Sequence, residues 1–163
     1  MNIKVRKFTY EDIEAVIDIW NDIVEEGVAF PQEEILNKKT GIEFFNLQSY
    51  VGVAYNIENN EIVGIYILHP NNIGRCGHIC NASFAVKKNL RGQGAGEKLV
   101  LDCISVAKEI NFKILQFNAV VESNIGALKL YEKLGFIKLG VIPNGFAMKS
   151  GKFENIIPHY LIL

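Results

Sequence analysis

The stretch "HICNASFAVKKNLRGQGAGEKLV", His78 to Val100, decides how the chain is read. An apolar run ends in a short basic loop with three closely spaced glycines, Gly92, Gly94 and Gly96, and an amphipathic pattern follows. In that pattern Leu99, Cys103, Ala107 and Ile110 fall on one stripe, with Val100 and Ile104 beside it, while Glu97, Lys98, Asp102, Lys108 and Glu109 make the wet side. A strand, a glycine loop and a helix in succession present unpaired backbone amides to an anion. The first four N–H groups of a helix lack partners, and the helix dipole favours negative charge there. Spacing excludes two nucleotide-binding loops. The dinucleotide fingerprint needs G-x-G-x-x-G and the P-loop needs G-x-x-x-x-G-K-[ST], whereas this chain has G-x-G-x-G with no Lys-Ser or Lys-Thr after it.

Working outward, 163 residues with 49% hydrophobic content suit one domain, residues 1–163, with a substantial core. Seventeen Lys plus Arg against eighteen Asp plus Glu leave a net charge of -1, so no global field favours nucleic acid or an anionic membrane. Any anion site is therefore local. The start "MNIKVRKFTYED" lacks a signal or transit pattern and no run approaches eighteen apolar residues, so the chain reads as a cytoplasmic protein. Three cysteines without framework spacing fit reduced thiols. Cys76, His78 and Cys80 alternate as metal ligands on a strand could, but no second ligand pair accompanies them; they read as two buried thiols and a polar edge residue, with no metal. Cys103 belongs to the helix core.

"IKVRKF" reads as a strand. The helix "TYEDIEAVIDIWNDIVEEG" follows, capped at Thr9 and closed at Gly27. "QEEILNKKTGIEFFNLQ" predicts a weaker helix interrupted at Gly41, serving as a lid or rim. "SYVGVAYNI" and "EIVGIYILHP" form a hairpin whose Asn59 and Asn60 tolerate positive φ. After the glycine loop and its helix come the buried strand "KILQFNAVV", a short helix "SNIGALKLYEKLG", a strand "FIKLGVI", a looped excursion and a final strand. Strands that pair first as a meander and later alternate with helices imply a mixed α/β (α+β) domain. Its sheet would be mixed, mostly antiparallel and six- to seven-stranded, with helices on both faces.

Arg91 to Gly96 fits R-x-x-G-x-G, and some thirty residues later "NIGALKLYEKLGF", Asn124 to Phe136, fits N-x-x-A-x-x-L-Y-x-x-x-G-F. In both, the chain resembles the GCN5-related N-acetyltransferase superfamily. The longer pattern "GRCGHICNASFAV…RGQGAG…LQFNAVVESNIGALKLYEKLGF…GVIPNGF" is similar to its phosphinothricin-like branch, which acts on small amino or imino acids. The resemblance implies acetyl-CoA as cosubstrate. Its pantetheine would lie against Phe84, Ala85 and Val86, and its pyrophosphate on the amides of Arg91, Gly92, Gln93, Gly94, Ala95 and Gly96. Asn124 would bind the pantetheine or hold the loop. Tyr131, one turn after Ala127, would face the thioester sulfur as the acid.

Acetyl transfer needs a neutral amine, help for charge on the carbonyl oxygen and a proton for the thiolate. A backbone N–H near Ser83 to Ala85 is expected to meet the oxygen. Many members of the superfamily place a carboxylate on the strand before the loop; "ICNASFAV" has none. It has Asn81, matched by Asn118 on the next strand, and these two amides read as buried groups that either bridge splayed strands or bind substrate and order a relay water. Glu122, Glu25, Glu26, His78 and His159 are further candidates for the base. The leading expectation is an N-acetyltransferase of a small amine. A protein or peptide acetyltransferase, a longer-chain acyltransferase, a non-catalytic acyl-CoA sensor and a homodimer remain open.

Overall fold

A computed structural model describes all of residues 1–163. Its main sheet has seven strands: β1 (Ile3–Lys7), β2 (Tyr50–Asn56), β3 (Ile62–Pro70), β4 (Ile79–Val86), β5 (Ile114–Phe117), β6 (Ile137–Lys138) and β9 (His159–Ile162). They run in the order β1-β2-β3-β4-β5-β9-β6, and only the β4–β5 pair is parallel. The looped excursion is a separate hairpin of β7 (Ile142–Ala147) and β8 (Phe153–Ile156). No helix is long and apolar enough to cross a membrane.

Each face of the sheet is buried by the helices the periodicity predicts. On one side α3 (Ala95–Glu109) sets Leu99, Val100, Cys103 and Ala107 against Tyr66, Leu68, Cys80 and Leu115, and Tyr131 and Phe136 from the α4 (Ile125–Lys133) region extend the layer. On the other side α1 (Ile13–Glu26) and α2 (Lys38–Asn46) set Val16, Ile17, Trp20, Ile23 and Phe45 against Val53, Ile65, Ile67 and Ala85. Burying an aliphatic or aromatic side chain of this size stabilises by about 1.5–3 kcal/mol, so these two layers hold the domain together.

Several boundaries differ from the sequence reading. α2 begins only at Lys38, where Asn37 caps it by accepting from the Thr40 amide, and Gly41 lies inside it. That glycine does not interrupt the helix. A Cβ there would come within 2.6 Å of Ile17, so it lets α2 approach α1. "FIKLGVI" divides into a two-residue β6 and the start of β7. Cys76 lies in a turn before β4, and both it and His78 are exposed. Only Cys80 is a buried thiol of the three; burial pushes it up to about 12, and it donates to the Ile114 carbonyl. Cys103 is fully buried as expected.

Gly52 is a close-approach glycine of the sheet, because a Cβ there would meet the Tyr66 ring at 2.2 Å. That ring is fully buried, and its hydroxyl donates to Asp102 at 2.7 Å, so it has no room to yield. Gly52→Ala is expected to destabilise by about 1–3 kcal/mol. In thermal unfolding that is a fall of about 2–4 °C per kcal/mol; an unchanged melting temperature would show that the ring moves freely.

Candidate active site

The site forms where β5 leaves β4. β4 pairs with β3 from Val86 to Cys80, but with β5 only at Ile79–Ile114 and Cys80–Leu115. Beyond Phe117 the chain turns to β8 instead: the Ile157 amide donates to the Val120 carbonyl at 2.8 Å, and the Glu122 amide to the Asn155 carbonyl at 2.9 Å. Val121 bridges Ile156 between them. With its backbone groups satisfied there, the segment has no need of β4.

The consequence for β4 follows from its ladder. The bonds from the Lys87 amide to the Val63 carbonyl and from the Asn71 amide to the Ile79 carbonyl fix the odd-numbered residues of β4 toward β3. By alternation, Ala82, Phe84 and Val86 aim their N–H and C=O groups into the gap. A cavity of about 200 Å³ fills it, with Asn81, Ala82, Ser83 and Phe84 on one wall and Phe117, Asn118 and Val121 on the other. Asn124, Ala127 and Tyr131 of the α4 region close it, and Ala29, Phe30 and Pro31 form its rim. Ala85, expected at the cofactor, instead packs its side chain under α1 and bonds β3. Ala82 takes its place in the row of free amides.

At the open end of the gap, Gly94 caps α3 with φ 86°, and Gly92 has φ 78°. A Cβ at either would touch nothing, so the left-handed backbone is what requires glycine. The first α3 amide bonded within the helix is that of Lys98, to the Gly94 carbonyl, which leaves the amides of Ala95, Gly96 and Glu97 free for an anion. Arg91 is not free. Its Nη2 donates to both Glu26 oxygens, at 3.0 and 2.9 Å, and its Nε to the Val86 carbonyl at 3.4 Å. Lys88 lies 3.8 Å from the same carboxylate.

Tyr131 is buried among Phe117, Phe136 and His159, and its hydroxyl makes no hydrogen bond within the protein. Burial holds the phenol above its ordinary range, so it carries its proton at neutral pH. Asn124 caps α4, its Oδ1 accepting from the Ala127 amide at 3.2 Å. Asn81 and Asn118 are not the buried pair that the apolar strands suggest. Asn81 is half-buried, and Asn118 is exposed just past the end of β5, where it exchanges hydrogen bonds with Asn71 at 2.6 and 3.3 Å and accepts from Gln116.

None of the other candidates lines the cavity. Glu122 accepts from Asn155 and Glu26 holds Arg91, whereas Glu25 is exposed and bonds only through its backbone carbonyl, which accepts from Lys149. His159 is fully buried with Nδ1 2.6 Å from the Ile157 carbonyl; burial keeps it neutral. Its Nε2 has no partner. His69, which the sequence does not single out, lies directly across the ladder from Asn81.

The profile of the acetyltransferase (GNAT) family matches residues 13–136. The chain belongs to this family. It is 36% identical over 89 residues to the N-acetyltransferase aca1 of Schizosaccharomyces pombe, covering 55% of this chain and 43% of that protein. The chain thus spans less than half the length of that relative. YwnH of Bacillus subtilis, provisionally designated a phosphinothricin acetyltransferase, is 26% identical over 91% of both chains. A GCN5-related N-acetyltransferase from Kribbella flavida superposes with a TM-score of 0.90 at 28% identity, over 99% of this chain and 98% of that one. Two further solved structures of this fold hold acetyl-CoA.

Glu26 would compete with any anion that arrives at the Arg91 guanidinium. Glu26→Gln is therefore expected to tighten coenzyme A binding about two- to fivefold in low-salt calorimetry, with the gain shrinking as salt is added. Weaker or unchanged binding would show that Arg91 needs Glu26 to hold it in place.

Proposed function

We propose that the protein transfers an acetyl group from acetyl-CoA directly to the amine of a small molecule, an amino or imino acid or a related amine, within one ternary complex. The observation that carries this reading is the unpaired Tyr131 hydroxyl lining the same narrow gap as Phe84, whose amide has no sheet partner on that side. The free amides of Ala82, Phe84 and Val86 and the free carbonyls of Ala82 and Phe84 pair with the pantetheine amides, as an added strand would. The free amides of Ala95, Gly96 and Glu97 take the pyrophosphate, and Arg91 exchanges Glu26 for it. An amide of β4 that faces the gap is placed to meet the carbonyl oxygen as it gains charge. Tyr131, kept protonated by its surroundings, donates to the departing thiolate.

The similarity to YwnH over nearly the full length of both chains supports a small-molecule acceptor. The modest cavity volume agrees with it, and Asn81 and Asn118 at the two walls supply neutral donors and acceptors for an amine or carboxylate. A non-catalytic acyl-CoA sensor is favoured by one observation, that no carboxylate lines the cavity.

Purified protein incubated with acetyl-CoA and a pooled panel of amino acids, imino acids, polyamines and short peptides separates these readings by mass spectrometry. An acetylated amino or imino acid is the expected product. Acetylated peptides alone would move the assignment to a protein acceptor, and coenzyme A binding without any product would support the sensor. Tyr131→Phe should lower kcat by about 10²-fold or more with coenzyme A affinity unchanged. Unaltered turnover would remove Tyr131 as the acid.

A further inference from the structure

We propose that His69 is the proton acceptor for the incoming amine, working through one water held between its Nε2 and Asn81; this rests on the acetyl-transfer reading above. Of the groups that the sequence offers for this role, Glu26 and Glu122 are committed to Arg91 and Asn155, Glu25 and His78 are exposed and do not line the cavity, and His159 is sealed in the core. The ladder register supplies another group. His69 stands opposite Asn81, and Ile65 and Ile67, two and four residues before it, pack under α1. Alternation therefore carries His69 onto the α1 side of the sheet together with Asn81, a lining residue of the cavity.

That part of the sheet is polar where the rest is apolar. Asn71 and Asn118 exchange hydrogen bonds across it, and Gln116 donates to Asn118 at 3.0 Å. The imidazole is oriented for the task. Its Nδ1 lies 3.0 Å from the Pro70 carbonyl, which can only accept, so Nδ1 carries the proton and Nε2 presents a lone pair. Residues opposite one another in a hydrogen-bonded antiparallel pair have Cα atoms about 5.5 Å apart, which sets the two side chains next to each other on one face. His69 is half-buried, so its proton can pass on to solvent. The groups beside it, Asn71, Asn81 and, by continuation of the β2 register, Ser49, carry no charge and do not titrate.

In the step itself the amine nitrogen forms a bond to the thioester carbonyl carbon, and the carbon–sulfur bond breaks. Its electron pair leaves with the sulfur, which takes the Tyr131 proton. The surplus proton on nitrogen passes to the water as the water gives one to Nε2. The products are the amide, the free thiol, a histidinium and a tyrosinate, and proton exchange with solvent restores the two side chains.

The test compares wild type with His69→Gln and His69→Gly on the amine found by the panel. The expected result for His69→Gln is a kcat lower by about 10²-fold, with KM for acetyl-CoA and melting temperature unchanged. The acid-side limb that a histidine base imposes on kcat/KM should vanish in the same variant, and added imidazole should restore turnover to His69→Gly. Turnover within about threefold of wild type, or a persisting limb, would overturn the role of His69 while leaving acetyl transfer intact. Absence of any product from wild type would instead remove the acetyl-transfer reading.

Discussion

Two residue pairs, Ile79–Ile114 and Cys80–Leu115, are all that join β4 to β5, and the site depends on the ladder stopping there. Had it continued, the polar groups of Ala82, Phe84 and Val86 would be spent on β5 and no cleft would exist. The ladder stops because the chain after Phe117 finds other partners, bonding Asn155 to Ile157 through its own backbone. The hairpin of β7 and β8, which looks incidental, is thus what holds the gap open. Val121, Phe146 and Ile156 form a small apolar cluster that fixes it in place. The strand edge left exposed inside the domain is an unmet demand for hydrogen bonds, and a ligand carrying amides along a flexible arm meets it as another strand would.

Around this gap the protein divides its chemistry between the two faces of the sheet. On the α3 face an aromatic chain runs from Tyr66 through Phe84 and Phe117 to Tyr131, dry enough to keep the phenol protonated. On the α1 face a polar strip of His69, Asn71, Asn81, Gln116 and Asn118 meets the rim residues Phe30 and Pro31. On the reading proposed above, the proton donor lies on the dry side and the proton acceptor on the wet side, as suits a reaction that delivers one proton and removes another. The start of α3 stands apart from both, with its glycine-shaped backbone and an arginine held by Glu26, and on the proposed reading it takes the pyrophosphate.

What was legible in the sequence is what short-range chemistry determines. The closely spaced glycines announce a loop with free amides at the start of α3, and the stripe of α3 its buried face. The family resemblance rests on those same local patterns, and a mixed, mostly antiparallel sheet of six to seven strands, observed with seven, followed from element order. What was not legible depends on pairing between distant segments. Asn118 follows an apolar run and reads as buried, yet the run leaves the sheet one residue earlier and the side chain is exposed. Ala85 reads as a cofactor contact, but the β3 register turns its polar groups away. His69 beside Pro70 looks like the end of a strand, and only its position opposite Asn81 brings it near the cavity.

The most direct measurement is residue-resolved amide hydrogen exchange by NMR along β4, with and without saturating acetyl-CoA. In the free protein the amides of Ala82, Phe84 and Val86 should exchange fast, while those of Ser83 and Ala85, bonded to β3, stay protected. Bound acetyl-CoA should slow the first three and leave the other two as they were. Protection of all five without ligand would mean that the gap is closed, and acetyl-CoA binding with no change at Ala82, Phe84 and Val86 would place the cosubstrate elsewhere.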